Sequence, residues 1–137
     1  MYHSVGDERE YGNVSAEKLK LDLEYFDSEY EIVDLPALYR TQSDSKRIAI
    51  TFDDGYSNFY KHALPILREL GAPATVFVVA GSLTNESLSL DAASLMDREQ
   101  LEDLVREPLV TIGNHTITHP YLRAIDAGRL REEVFEA

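Results

Sequence analysis

The stretch Arg47-Ile-Ala-Ile-Thr-Phe-Asp-Asp-Gly55 limits the fold more than any other, because an apolar run ends abruptly in two adjacent carboxylates and a glycine. Ile48, Ile50 and Phe52 alternate with Ala49 and Thr51, all residues that a doubly covered pleated surface accepts. The run therefore reads as a strand of a parallel sheet. Its polar tip then lies at the carboxyl end, the rim where sites form in α/β folds because the loops there leave the packed core. Consecutive strand residues point to opposite faces. Asp53 and Asp54 can converge on one site only if the strand stops there and Gly55 lets the backbone turn. Taken alone, the same residues describe a solvated Asp-Asp-Gly turn equally well.

The rest of the chain repeats this strand-then-helix rhythm. Asn58 to Leu70 places Tyr60, Leu64, Leu67 and Leu70 on one face, and Gly71 with Pro73 stops the helix. Strands are predicted at 74–79 and 109–112, with helices at 97–106, capped by Asp97, and at 126–135. Residues 84–97 read as a long polar excursion at the rim. Upstream, the opening residues Met1 to Val5 are strand-like, and Ser15 caps a helix running to Tyr30. A short strand is expected at 31–35, then an irregular segment or single turn at 36–40, then a polar loop at 41–45. From residue 47 the order is β-α-β-α-β-α, which predicts a parallel sheet with right-handed crossovers.

The third strand also ends in polar residues, Gly113-Asn-His-Thr-Ile-Thr-His-Pro120. His115 and His119 stand four positions apart, a spacing that lets two imidazoles reach one metal at about 2.0 to 2.1 Å. Pro120 disfavours a helical conformation at His119, so either a loop or the start of a helix holds the pair. An isolated His-x-x-x-His is usually chance. Here parallel strands carry it to the same rim as the aspartates, giving two histidines and a carboxylate, Asp53 or Asp54, with positions left for water and substrate.

Composition removes several alternatives. The 137 residues suit one domain, 44% are hydrophobic, and no apolar run approaches the ~18 residues of a membrane span. Net charge is -12, from 25 acidic and 13 basic residues, which repels nucleic acid. With no cysteine, any metal must be held by histidine and carboxylate. No charged region followed by an apolar one marks a secretory signal, and the compartment stays open. The Asn-x-Ser/Thr triplets at Asn13, Asn85 and Asn114 are expected to be coincidental.

Thr51-Phe-Asp-Asp-Gly55 and His115-Thr-Ile-Thr-His-Pro120, in this order, closely resemble the first two motifs of the polysaccharide deacetylases, the NodB-homology or carbohydrate esterase family 4 enzymes. The opening Tyr2-His-Ser-Val5 resembles the first strand of such domains. The resemblance implies a distorted (β/α) barrel. It implies Asp53 as catalytic base, Asp54, His115 and His119 as metal ligands, and zinc, or sometimes cobalt, as the metal. The substrate it implies is an N-acetylated amino-sugar polymer, which loses its acetyl groups by hydrolysis.

This sequence departs from the family pattern after His119, where 18 residues remain and neither an Arg-x-Pro segment nor a Leu-x-His general acid occurs. The chain therefore resembles the amino-terminal part of the domain, with His3 and His62 the histidines left to act as the acid. A cut barrel is expected to expose an edge at 109–112 or at the first strand, and the core faces of Ile48, Ile50, Val76 and Val78, so that residues 1–137 alone associate and turn over little substrate. A noncatalytic glycan- or metal-binding module is the alternative. A magnesium phosphotransfer site is disfavoured, since two imidazoles suit zinc better and no glycine-rich phosphate cradle follows a strand.

Overall fold

The computed structural model describes residues 1–6, 12–40, 44–83, 88, 90 and 95–136. Strand β1 (Ser4–Val5) pairs with β2 (Asn13–Val14), and β3 (Glu31–Ile32) pairs with β4 (Arg47–Ile48). A three-stranded sheet follows in the order β5 (Ile50–Phe52), β6 (Ala74–Val78), β7 (Val110–Asn114). All these pairings are parallel. The helices are α1 (Ala16–Glu29), α2 (Leu35–Arg40), α3 (Leu64–Leu70), α4 (Arg98–Val105) and α5 (Ala127–Phe135).

Their ends follow the residue chemistry. Ser15 accepts the Lys18 amide at the start of α1, and Asp97 forms a reciprocal capping box with Gln100 at α4. Asp126 accepts the Arg129 amide at α5. Gly71 closes α3 with a left-handed φ of 64°.

Four local details differ from expectation. The run 47–52 breaks at Ala49, so Arg47–Ile48 pairs with β3 while Ile50–Phe52 pairs with β6. Residues Leu35–Arg40 form a short helix. The helix expected from Asn58 opens as a π-helix, Phe59–Ala63, in which the Leu64 amide donates to Phe59. Pro65 follows, and it lacks the amide that an α-helical ladder needs at that point. Finally, β7 runs on through Asn114, two residues past its apolar core. The excursion predicted at 84–97 lies largely outside the described residues, as does Asn85.

Register decides which side of the sheet is which. Ile50, Ala74 and Val110 stand in one row, and Phe52, Val76 and Ile112 in the next. This face carries the core, where Ile50, Phe52, Ala74 and Val76 are buried with Leu19 and Leu23 of α1, Leu64 and Leu67 of α3 and Leu104 of α4. The Phe52 and Phe59 rings meet edge-on at 4.8 Å. Each such side chain contributes about 1.5 to 3 kcal/mol of burial.

The opposite face carries Thr51, Thr75 and Thr111 in a row, then Phe77 beside Gly113. The expectation that the open face would expose Ile48, Ile50, Val76 and Val78 is thus corrected. Ile50 and Val76 are buried in the core, and Ile48 and Val78 are half-buried against it. On the threonine side, Thr75 and Thr111 border a cavity of about 390 Å³ also lined by Leu35, Pro36 and Tyr39 of α2.

Candidate metal centre

The first rim turn is fixed by its own sheet. Tyr2 donates its amide to Thr51 at 2.8 Å and accepts the Asp53 amide at 2.9 Å, so the opening segment lies parallel to the end of β5. His3 consequently sits next to Asp53, its Nε2 3.9 Å from the Asp53 Oδ2. The strand ends at Phe52, and Asp54 and Gly55 both take left-handed φ values, 72° and 76°. Aspartate tolerates that region better than most residues, and glycine enters it freely. A Cβ at Gly55 would lie 3.0 Å from the Val78 Cγ1, so the turn also packs tightly on β6. The result buries Asp54, 5% exposed, while Asp53 stays half-open.

The histidines are held by a loop rather than a helix. Thr116 and His119 have positive φ, 70° and 55°, at a cost of about 1 to 3 kcal/mol each. The His115 amide continues the sheet by donating to Val78 at 2.8 Å. Asn114 accepts the Thr116 amide through its side chain at 2.6 Å, and the Thr116 hydroxyl accepts the His119 amide at 3.0 Å. The Thr116 and Ile117 carbonyls accept from the amides of Ala80 and Gly81, just beyond β6. A Cβ on Gly81 would stand 2.4 Å from the Ile117 oxygen, so only glycine permits that approach. From the other side, the fully buried Glu133 of α5 accepts the amides of Ile117 and Thr118 at 2.9 and 2.8 Å and the Thr118 hydroxyl at 2.6 Å.

These two loops bring three ligand atoms together. Asp54 Oδ1 lies 3.3 Å from Nε2 of His115 and 3.3 Å from Nε2 of His119. Asp54, His115 and His119 offer ligand atoms all within 4.8 Å of one another. Around a tetrahedral ion with bonds of about 2.0 to 2.1 Å, ligand atoms stand roughly 3.3 Å apart, so the two distances from Asp54 match such a cage and the donor chemistry suits it. Asp53 and His3 flank it.

Electrostatics support the same picture. Burial pushes the Asp54 carboxyl up, but the hydrogen bond from His115 and the charges of His119, His3 and His115 prevail and hold it below its ordinary value. The hydrogen bond to Asp54 raises His115 above the usual imidazole range, against an opposing effect of burial and with help from the Asp53 and Asp54 charges.

Of the histidines outside the cage, His3 reaches the rim and His62 does not pair with Asp53; it is exposed in the helical segment before α3. The residue pattern gave no sign of Glu133. It shares an i, i+4 spacing with Arg129, which normally marks a surface ion pair. The available clue was an acidic residue three places after Leu130, on the apolar side of a helix.

Comparison with known proteins agrees with this geometry. The chain is 34% identical over 95 residues to a chitooligosaccharide deacetylase of Rhizobium leguminosarum bv. trifolii, covering 69% of this chain and 39% of that protein. It is 33% identical over 85 residues to the poly-beta-1,6-N-acetyl-D-glucosamine N-deacetylase of Escherichia coli (strain K12), covering 56% of this chain and 12% of that one. The chain thus spans well under half the length of these curated relatives. In fold, it superimposes on the Streptococcus pyogenes deacetylase PplD, solved in complex with acetate, with a TM-score of 0.82 at 23% identity, covering 99% of this chain and 63% of that one. The α/β architecture is that of the NodB-type deacetylases. The polysaccharide deacetylase family model matches residues 40–137, a span that contains both rim loops, and on that match this chain belongs to the polysaccharide deacetylase family.

Proposed function

We propose that this chain is a metal-dependent hydrolase that removes N-acetyl groups from an amino-sugar polysaccharide, cleaving a carbon-nitrogen bond outside any peptide. The observation that carries the reading is the convergence of the Asp54, His115 and His119 ligand atoms beside Asp53 and His3 on one rim. The names of the Rhizobium and Escherichia relatives support an N-acetylated glycan as substrate. Asp54, His115 and His119 would hold the ion, with zinc the best match to two imidazoles and one carboxylate, and cobalt a substitute. When bound, such an ion polarises a carbonyl and acidifies water.

The protein's own groups do the rest. Asp53 takes a proton from the attacking water while the water oxygen bonds to the acetyl carbon. The carbon-nitrogen bond then breaks, and the nitrogen leaves with a proton delivered through the His3 imidazole. Acetate and a free amine are the products. The residue pattern offered His3 and His62 as the acid, with His62 mid-helix and expected to be solvated; the 3.9 Å approach of His3 to Asp53 favours His3.

Acetate release from an N-acetylated chitooligosaccharide, measured on zinc-loaded protein, tests the reading. His3→Ala should lower amide turnover by roughly 10²- to 10⁴-fold while sparing 4-nitrophenyl acetate, whose leaving group needs no proton. Zinc binding without acetate release by the wild type would establish the noncatalytic module instead. Equal losses on amide and ester would deny His3 the role of acid.

A further inference from the structure

The segment between the two histidines is clamped from both sides, and one half of the clamp comes from a distant helix. Its carbonyls at Thr116 and Ile117 go to the amides that follow β6, while its amides at Ile117 and Thr118 go to Glu133. The remaining amides, at Thr116 and His119, bond within the loop. Glu133 is therefore the tie from outside the sheet that holds these amides, and it is fully buried. Arg129 supports it, with a guanidinium nitrogen 2.6 Å from the Glu133 Oε1 and 3.4 Å from the Thr118 hydroxyl.

We propose that Glu133 is a positioning residue for metal uptake. It locks the 115–119 loop so that both imidazoles face Asp54 before any ion arrives. The inference rests on the metal-site reading above. Its physical basis is the backbone of the loop. Thr116, a β-branched residue, occupies a left-handed region that its own side chain disfavours, and His119 is left-handed too, so the loop keeps this shape only while its peptide groups are held. If the hold is released, the ligand-competent shape is populated only part of the time. The apparent dissociation constant then rises by the inverse of that fraction. A carboxylate suits the task because it accepts all three donors at once, and a carboxamide of the same shape must turn an NH₂ towards some of them. Burial pushes the Glu133 carboxyl up, but the Thr118 hydroxyl, the two amides and Arg129 outweigh it and keep it ionised.

The test compares wild type, Glu133→Gln and Thr118→Val by calorimetric zinc titration and by the visible absorption of bound cobalt. Glu133→Gln should weaken zinc binding by about 10- to 100-fold and alter the cobalt band, which reports coordination geometry. Thr118→Val, which removes the hydroxyl's bonds to Glu133 and Arg129 but leaves both backbone amides on Glu133, should show a smaller loss in the same direction, and it decides the matter if Glu133→Gln fails to fold. Wild-type affinity and an unchanged cobalt band in the variants, with only thermal stability lowered, would reduce Glu133 to a packing role and overturn the proposal. A wild type that takes up neither zinc nor cobalt would overturn the metal reading and this proposal together.

Discussion

The two rim loops that meet at Asp54 are built by opposite means. The Asp53–Asp54–Gly55 turn ends a strand and makes its sharp bend with residues that tolerate left-handed φ, while Tyr2 and the Met96 amide that donates to Gly55 pin it. The 115–119 loop bends just as sharply through Thr116, a β-branched residue that tolerates such φ poorly, and it borrows its rigidity from Gly81 and Glu133. A site can thus be assembled from one turn that its own sequence specifies and another that is imposed by its surroundings. The backbone bend of the first should depend less on side chains elsewhere than that of the second.

The largest effect expected lies on the local side. Asp53→Asn removes the base without disturbing the backbone bond to Tyr2, so acetate release should fall by roughly 10²- to 10⁴-fold with the fold unchanged. A variant retaining near-wild-type turnover would remove Asp53 from the chemistry.

The borrowed side is tested next by Gly81→Ala. The added methyl group has to displace the Ile117 carbonyl, at a cost of about 1 to 3 kcal/mol in urea unfolding. It should also weaken zinc binding, whereas an exposed control such as Gly71→Ala sits in open space and should leave the metal site alone. Equal effects on zinc from both glycines would erase the contrast between an imposed loop and an ordinary helix end.

A smaller effect follows from the ionisation of Glu133. Its carboxyl titrates below its ordinary value of 4.5 in the folded chain, so it contributes stability above that value and loses it as pH falls through the folded pKa. The stability gap between wild type and Glu133→Gln should therefore be full near neutrality and shrink progressively below about pH 4.5. A gap that widens on acidification would contradict the sign. Chemical unfolding across that range measures it.

This contrast also explains what could be read in the sequence. Helix starts at Ser15, Asp97 and Asp126 and the stop at Gly71 were legible because each is a single residue acting on its neighbours. The strand-end aspartates and histidines were legible for the same reason, as polar tips on apolar runs. The π-helical start of the 58–70 segment was not, since it depends on how Pro65 interrupts a ladder already committed to the core. The row of Thr51, Thr75 and Thr111 was hidden because periodicity gives two faces without saying which one the helices cover. His3 and Glu133 were missed as partners because sequence separation conceals them: register brings His3 to Asp53, and helix docking brings Glu133 to Thr118.

The central claim is that the two adjacent aspartates have different jobs, Asp54 as a metal ligand with His115 and His119, and Asp53 as a base outside the cage. Calorimetric zinc titration of Asp53→Asn and His119→Ala separates them directly, because a ligand supplies a bond to the ion and a base need only touch the bound water. Asp53→Asn should bind zinc with close to wild-type affinity, and His119→Ala should lose most of it. Equal loss in the two variants would contradict the account and mean that the roles of the carboxylates have been assigned the wrong way round.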